Sequence, residues 1–321
     1  MTELSLQGKI CLVTGSTSGM GKVTAKELAN RGATVVLVGR NREKGEATQA
    51  EIRRETGNAN VDLLIADLSL LQEVRRLAAE VQQKYHHVHV LVNNAGAIYR
   101  SRNVTSEGLE ATFAVNYLAP FLLTELLVEM LKASAPARIV NVSTQVHRIG
   151  TIAFDNLQGE KHYATMSNYA LAKLAVILST YELARRLEGT GVTVNVMSPG
   201  QMSSDNFNAE ATGLLALVTK LTKPFVMTVE KGAQTEIYLA TSPQVEGVTG
   251  KCFAKSQEQK SSRRSYDQAL GQRLWQVSEQ FVTTFFPNTL FCHKGRFEYN
   301  ACRFGPRHLG SSHRSSYQLS E

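Results

Sequence analysis

The sequence predicts an α/β fold, a doubly wound parallel sheet in a single domain. Three observations point to it. Strand-like and helix-like patterns alternate along the chain up to about residue 255. The strand patterns are continuous apolar runs, not alternating ones, which implies burial on both faces and hence a parallel sheet covered by helices. The first strand ends in a glycine-rich turn that opens a helix, Gly15-Ser16-Thr17-Ser18-Gly19-Met20-Gly21.

Residues 10–13 form the first strand. In the turn after it, three glycines at G-x-x-x-G-x-G spacing let the backbone bend and approach a ligand where a Cβ would block it. The following helix, patterned over residues 22–30, turns its free N–H groups and positive dipole end toward that ligand, for which a pyrophosphate is the natural occupant. The spacing differs from the G-x-G-x-x-G of the dinucleotide-binding fingerprint. A β-branched run at 34–38 is the second strand, and a charged helix covers 42–55. Residues 61–65 make the third strand, followed by a helix from Ser69, read as its N-cap, to Lys84. The strands at 88–92 and 138–142 are separated by a long helix ending near Lys132. A helix over 168–187 leads into a strand at 192–197, a further helix covers 229–240, and 251–253 is a last short strand.

Composition narrows the function. The chain has 321 residues and 43% hydrophobic content, enough for a full core at the upper size of one domain. The net charge is +7, but Lys and Arg alternate with Glu, as in Arg42-Glu43-Lys44 and Arg53-Arg54-Glu55, which describes solvated helix faces and not a nucleic-acid surface. Cys11, Cys252, Cys292 and Cys302 show no C-x-x-C spacing, so a reduced protein without a metal site is expected. His86-His87-x-His89 has no partner ligand set and reads as a solvated loop. No charged-then-apolar leader precedes the first strand, and the apolar stretch 118–131 is interrupted by Glu125 and Glu129, so a soluble, cytoplasmic protein with no membrane span is expected.

Ligands of such sheets lie at the carboxyl ends of the strands. These ends are, in order, the glycine turn, Gly39-Arg40, Asp67-Leu68, Asn93-Asn94-Ala95-Gly96, Ser143-Thr144 and Ser198-Pro199-Gly200. The second strand ends in Gly39-Arg40-Asn41-Arg42, with no acid to accept from a ribose 2′-OH and with Arg40 placed for a 2′-phosphate, so NADP(H) is favoured over NAD(H). Tyr169 and Lys173 stand four apart, on one helical face. A cation there, with the charge of an oxidised nicotinamide, would stabilise the phenolate and bring the Tyr pKa down, which makes Tyr169 an acid for a carbonyl oxygen or a base for an alcohol.

Taken together, Gly15-x-x-x-Gly19-x-Gly21, Asn93-Asn94-Ala95-Gly96, Asn116, Ser143-Thr144, Tyr169-x-x-x-Lys173 and Pro199-Gly200 resemble, in order and spacing, the short-chain dehydrogenase/reductase superfamily over about residues 6–253. The stretches 152–161 and 183–192 resemble its retinol dehydrogenase branch. The resemblance implies a Rossmann-type sheet of about seven strands and hydride transfer between NAD(P)H and a carbonyl carbon. It implies cofactor contacts from Gly15, Ser16, Thr17, Ser18, Gly19, Met20, Gly21, Arg40, Asn41, Asn93, Ala95, Gly96, Pro199 and Gly200. Asp67 and Leu68 would meet the adenine, and Ser204 the carboxamide. Lys173 would bind the nicotinamide ribose, and Asn116 would hold a water that relays protons to it.

One position departs from the family pattern. The substrate-polarising serine is replaced by Thr144, whose hydroxyl can donate the same hydrogen bond; Ser143 takes that role if the strand end is shifted by one. His147 either approaches the substrate or lies at the surface. Loops at 145–167, with Phe154, Tyr163 and Met166, and at 201–224, with Met202 and Phe207, would shape a cleft for a lipophilic aldehyde or ketone. A hydroxysteroid or polycyclic ketone, or a non-catalytic NADP(H) sensor, are the alternatives. The superfamily suggests a homodimer or homotetramer formed through the long helices holding Asn116 and Tyr169. Vertebrate members of the retinol dehydrogenase branch carry a membrane anchor, and none is expected here. Residues 1–280 are read as the catalytic domain and 281–321 as a poorly ordered extension.

Overall fold

Every apolar run expected as a strand forms one. In the computed structural model, which describes residues 5–199 and 228–284, the strands are β1 (Ile10–Thr14), β2 (Thr34–Gly39), β3 (Val61–Ile65), β4 (Val90–Asn93), β5 (Ala137–Val142), β6 (Val192–Met197) and β7 (Cys252–Ala254). They pair in parallel in the order β3-β2-β1-β4-β5-β6-β7. An eighth strand, β8 (Gln257–Glu258), follows antiparallel to β7, with Phe253 opposite Glu258. It was not expected. The hairpin turns on Lys255 and Ser256 with φ of 51° and 57°, a geometry usually announced by Asn-Gly or Asp-Gly.

The order reverses between β1 and β4, so their carboxyl ends splay apart and open the crevice in which sheets of this kind hold ligands. Helices α1 (Gly19–Asn30), α2 (Arg42–Thr56) and α3 (Leu71–Lys84) connect the first strands. Asn41 caps α2 by accepting from Lys44 N at 2.8 Å, and Gly57, at φ 67°, ends it. The expected cap of α3 is corrected. Ser69 instead donates to Asp67 Oδ1 at 2.7 Å, and the first N–H groups of α3, those of Leu71 and Gln72, donate to the Glu107 carboxylate at 2.6 and 2.9 Å. A carboxylate arriving from 36 residues away complements the helix dipole better than a neighbouring hydroxyl.

The long helix α4 (Ala111–Ala133) begins on the buried Glu110, whose carboxylate accepts from Thr112 N and Phe113 N at 2.8 Å each, and it widens into a π-helical turn at Ala114–Leu118. Helices α5 (Thr165–Arg186), α6 (Val229–Thr241) and α7 (Gln268–Thr284) complete the described fold. Helix α7 runs past the expected domain end at 280 and lies on α4 and α5. Phe281 meets Phe113 edge-on at 5.8 Å, Trp275 meets Phe121 at 4.8 Å, and Tyr117 Oη and Ser278 Oγ are 2.6 Å apart. Arg186 of α5 stacks on Trp275 at 4.4 Å, and Arg75 of α3 donates to Val282 O at 2.6 Å. Helix α7 thus covers part of α4 and α5, the helices expected to bring two copies together. Residues 285–321 lie outside the described residues.

Helix α6 carries Glu236, fully buried against α1. Its carboxyl faces Thr24, yet neither oxygen reaches hydrogen-bonding geometry with any described residue, and burial pushes its pKa up to about 8 from 4.5. The native state therefore keeps a proton that the unfolded chain releases above about pH 4.5. The contribution of this group to stability is complete below that pH and is lost as the pH rises toward about 8. Glu236→Gln, neutral at every pH, is expected to stabilise the protein at pH 7 by about 3 kcal/mol, with an advantage that shrinks to nothing near pH 4.5. Thermal melts of both proteins from pH 4.5 to 8 check this; an advantage independent of pH contradicts it.

Candidate active site

The site is assembled where β1 and β4 part. Thr14, the last residue of β1, is the hub: its Oγ1 accepts from Asn94 N and Ala95 N at 3.0 and 3.1 Å and donates to Val92 O at 3.3 Å. Asn94 returns two bonds, from Nδ2 to Thr14 O at 2.8 Å and to Gly15 O at 3.2 Å. The loop after β4 is thereby pinned to the glycine turn. A Cβ at Gly21 would lie 2.3 Å from Asn94 Nδ2 and 2.6 Å from Gly15 O, so only glycine fits. Asn94 was visible in the sequence but had no assigned role there.

Within the turn, Ser16 is fully buried and its hydroxyl accepts from Val38 N at 2.9 Å, so its side chain fastens the turn to β2. Ser18 stands exposed and extended at the N-cap of α1 with no side-chain capping bond, and Gly19 and Met20 follow it. The first N–H groups of α1 are left for an external anion. Thr17 packs on Gly39 at the end of β2. Beyond it Arg40 is exposed and has no ion-pair partner among the described residues, whereas Asn41 is committed to capping α2 and Arg42 pairs with Glu46 at 3.7 Å. Asp67 holds Ser69, and Leu68 lines a small cleft with Thr14, Ala95 and Val115. The Asn93 amide is committed elsewhere. It donates to Thr124 Oγ1 at 3.0 Å and to Asn141 Oδ1 at 2.8 Å, tying β4 to β5 and α4. Pro199 follows β6 and is half-buried, while Gly200, Ser204 and the expected loop at 201–224 lie outside the described residues.

On the other side of the crevice, β5, α4 and α5 converge. Asn116 sits in the π-helical turn. Its Nδ2 donates to Ala97 O at 2.6 Å and Thr112 O at 2.8 Å, and its Oδ1 accepts from Ala97 N at 3.3 Å. A Cβ at Gly96 would lie 2.9 Å from Asn116 Oδ1 and 3.4 Å from Lys173 Nζ, so the glycine backbone runs directly beside both. Lys173 is 3% exposed, donates from Nζ to Val142 O at 3.0 Å, and lies 5.7 Å from the ring centre of the half-buried Tyr169. The two hydroxyls at the end of β5 differ in their commitments. Ser143 Oγ is buried and donates to Lys173 O at 2.9 Å. Thr144 Oγ1, half-buried, accepts from Val146 N at 2.9 Å and caps the short turn Gln145–Ile149, which leaves its proton free to donate.

Burial pushes the Tyr169 phenol up to about 12 and the Lys173 ammonium down to about 8. Among the protein's own groups, desolvation outweighs the attraction of ammonium for phenolate, because Lys173 turns to the Val142 carbonyl. His147, expected against the substrate or at the surface, is at neither: it is buried behind Thr144. No cluster of metal-ligating side chains occurs among the described residues. The glycine cradle, the open end of α1 and the unpaired Arg40 together fit a phosphorylated dinucleotide.

Comparison with known proteins agrees with this geometry. A family model described as short chain dehydrogenase matches residues 9–213. Retinol dehydrogenase 12 of Homo sapiens is 42% identical over 277 residues, covering 86% of this chain and 87% of that protein. An uncharacterised protein from Mycobacterium paratuberculosis has a similar structure, with a TM-score of 0.71 at 29% identity over 88% of this chain and 96% of that one. Pseudomonas aeruginosa RhlG, in an active-site complex with NADP, gives a TM-score of 0.64 at 25% identity over 79% of this chain and 97% of that one. The expected cytoplasmic location is corrected by these findings. The retinol dehydrogenase homologues are membrane-associated, and α4 is itself long and apolar enough to cross a bilayer, although 78% of its apolar window is packed inside the fold.

Proposed function

This chain belongs to the short-chain dehydrogenase family, and we propose that it interconverts an alcohol and a carbonyl by hydride transfer, with NADP(H) preferred over NAD(H) and a lipophilic aldehyde or ketone as substrate. The observation that supports the reading is Lys173 beside the Tyr169 ring, Gly96 and Asn116, with Thr144, whose hydroxyl proton is uncommitted, at the end of the neighbouring β5. The cofactor, when bound, supplies or accepts the hydride.

The rest is the work of this chain. The N–H groups opening α1 and the glycine turn bind the phosphates, and Arg40 takes the 2′-phosphate. Lys173 binds the nicotinamide ribose. Thr144 Oγ1 donates to the carbonyl oxygen and orients it, with Ser143 the alternative, and the Tyr169 hydroxyl delivers the proton as that oxygen gains charge. The Lys173 ammonium stabilises the phenolate left behind. Asn116, clamped to Ala97 and Thr112, fixes the π-helical turn beside Lys173, where a relay water would be held. The bound NADP of RhlG and the retinol in the name of the human relative support the cofactor and the lipophilic substrate class.

The test is oxidation of NADPH and NADH by the purified protein with carbonyls from short aliphatic to polycyclic. The reading expects consumption of NADPH and a preference for lipophilic carbonyls; cofactor binding without turnover on any carbonyl overturns it. In the same assay Arg40→Ala is expected to raise KM for NADPH by about 10- to 100-fold while leaving NADH unchanged, the loss of one charge-assisted phosphate contact. An equal effect on both cofactors removes Arg40 from the 2′-phosphate.

A further inference from the structure

Among the described residues His147 is the only fully buried histidine. It lies three residues from Thr144, and the mechanism above gives it no task. Both of its ring nitrogens are committed. Nδ1 lies 2.6 Å from Thr144 O, which can only accept, and Nε2 lies 3.0 Å from Ser262 N, which can only donate. The neighbours therefore dictate one form of the ring, neutral with its hydrogen on Nδ1. A ring so bound and buried cannot exchange protons with a substrate.

We propose that His147 is a positioning residue for Thr144: its ring ties the Thr144 carbonyl to Ser262 and thereby fixes where the Thr144 hydroxyl points. This rests on the reading of Thr144 as the group that orients the carbonyl. The anchor behind the ring is firm. Ser265 Oγ donates to Ser262 O at 2.6 Å, and Ser261 Oγ is 2.7 Å from Tyr181 Oη on α5, the helix that carries Tyr169 and Lys173. Tyr266 stacks on Tyr181 at 5.4 Å and accepts from Ser261 N at 3.1 Å. Two arginines fasten the same pair of segments: Arg148 donates to Lys260 O at 2.7 Å, and Arg264 donates to Gly150 O and Thr151 Oγ1 at 2.9 Å each. His147 is the fastener nearest the reacting groups, joining segments 115 residues apart in sequence. Without it the Thr144 carbonyl loses its only side-chain donor among the described residues. The hydroxyl, held by Val146 N alone, can then turn away from the carbonyl it orients.

The test uses the purified full chain with NADPH and its best carbonyl from the panel. His147→Phe keeps a ring and removes both bonds; His147→Asn keeps an amide donor at the position of Nδ1 and gives up Ser262. His147→Phe is expected to lower kcat by about 10- to 100-fold with NADPH affinity, read by fluorescence, unchanged. His147→Asn is expected to recover most of that loss. The deciding measurement is the double variant with Thr144→Val, in which His147→Phe should cost nothing further, because its effect passes through the hydroxyl already removed. Full kcat in both His147 variants, or the same fold-loss with and without Thr144→Val, overturns the inference. If His147→Phe does not fold, the Asn variant, alone and with Thr144→Val, carries the same comparison. A wild-type protein that turns over no carbonyl instead removes the functional reading beneath it, and the inference with it.

Discussion

Tyr169→Phe is expected to lower turnover by about 100- to 10,000-fold while NADPH binds as before, the range for removing one positioned acid. The ring survives the substitution, so the packing around Lys173, 5.7 Å from its centre, is kept and only the proton is lost. The pH profile should separate the two partners. Burial holds the phenol near 12, so Tyr169 remains protonated, as reduction requires, throughout the range in which the protein can be assayed. Lys173 sits near 8, because the same burial disfavours its charge. Below that pH the ammonium is present to receive the ribose hydroxyls and stabilise the phenolate; above it the charge is lost. For the wild type, kcat/KM for NADPH should therefore fall above about pH 8 as Lys173 loses its charge, with the loss from Tyr169 deprotonation lying well above it. A profile flat to pH 10 would falsify the assignment of Lys173.

Thr144→Val is expected to cost about 100- to 1,000-fold in kcat, as for loss of one donor to a developing oxyanion. Valine keeps the branched shape and removes only the hydroxyl, so binding of a lipophilic substrate should change little. Ser143→Ala should behave differently. Its hydroxyl already donates to the Lys173 carbonyl, so the loss should appear as about 1 kcal/mol of stability, with turnover changed only a few-fold. Thr144→Ser should retain most activity. Loss of turnover in Ser143→Ala with an active Thr144→Val would exchange the two roles.

The sheet was legible in the sequence because burial on both faces leaves an unmistakable signature, a run such as Val35-Val36-Leu37-Val38 with no polar interruption. The strand ends were legible for the same reason: polar and glycine residues stand out where an apolar run stops. What escaped depends on contacts distant in sequence. The cap of α3 is a carboxylate from residue 107, so the local reading settled on Ser69. Asn93 lines the small cleft with Thr14 and Ala95, but that its amide is bonded to Asn141, its register partner on β5, was not legible locally. His147 could be placed neither inside nor outside the site because Ser262, which fixes its tautomer, is 115 residues away. The lowered pKa expected of Tyr169 rests on Lys173 together with the charge of an oxidised nicotinamide; the four-residue spacing by itself carries no information on desolvation.

The position of α7 has a consequence for how the chain is made. The sheet can grow outward from β1 as synthesis proceeds, first toward β3 and then toward β7, each strand finding its neighbour already present. The aromatic face of α4, with Phe113, Tyr117 and Phe121, has no such early partner, since Trp275, Ser278 and Phe281 are translated some 150 residues later. Throughout that interval the nascent chain holds these bulky rings without the partners that cover them in the finished fold.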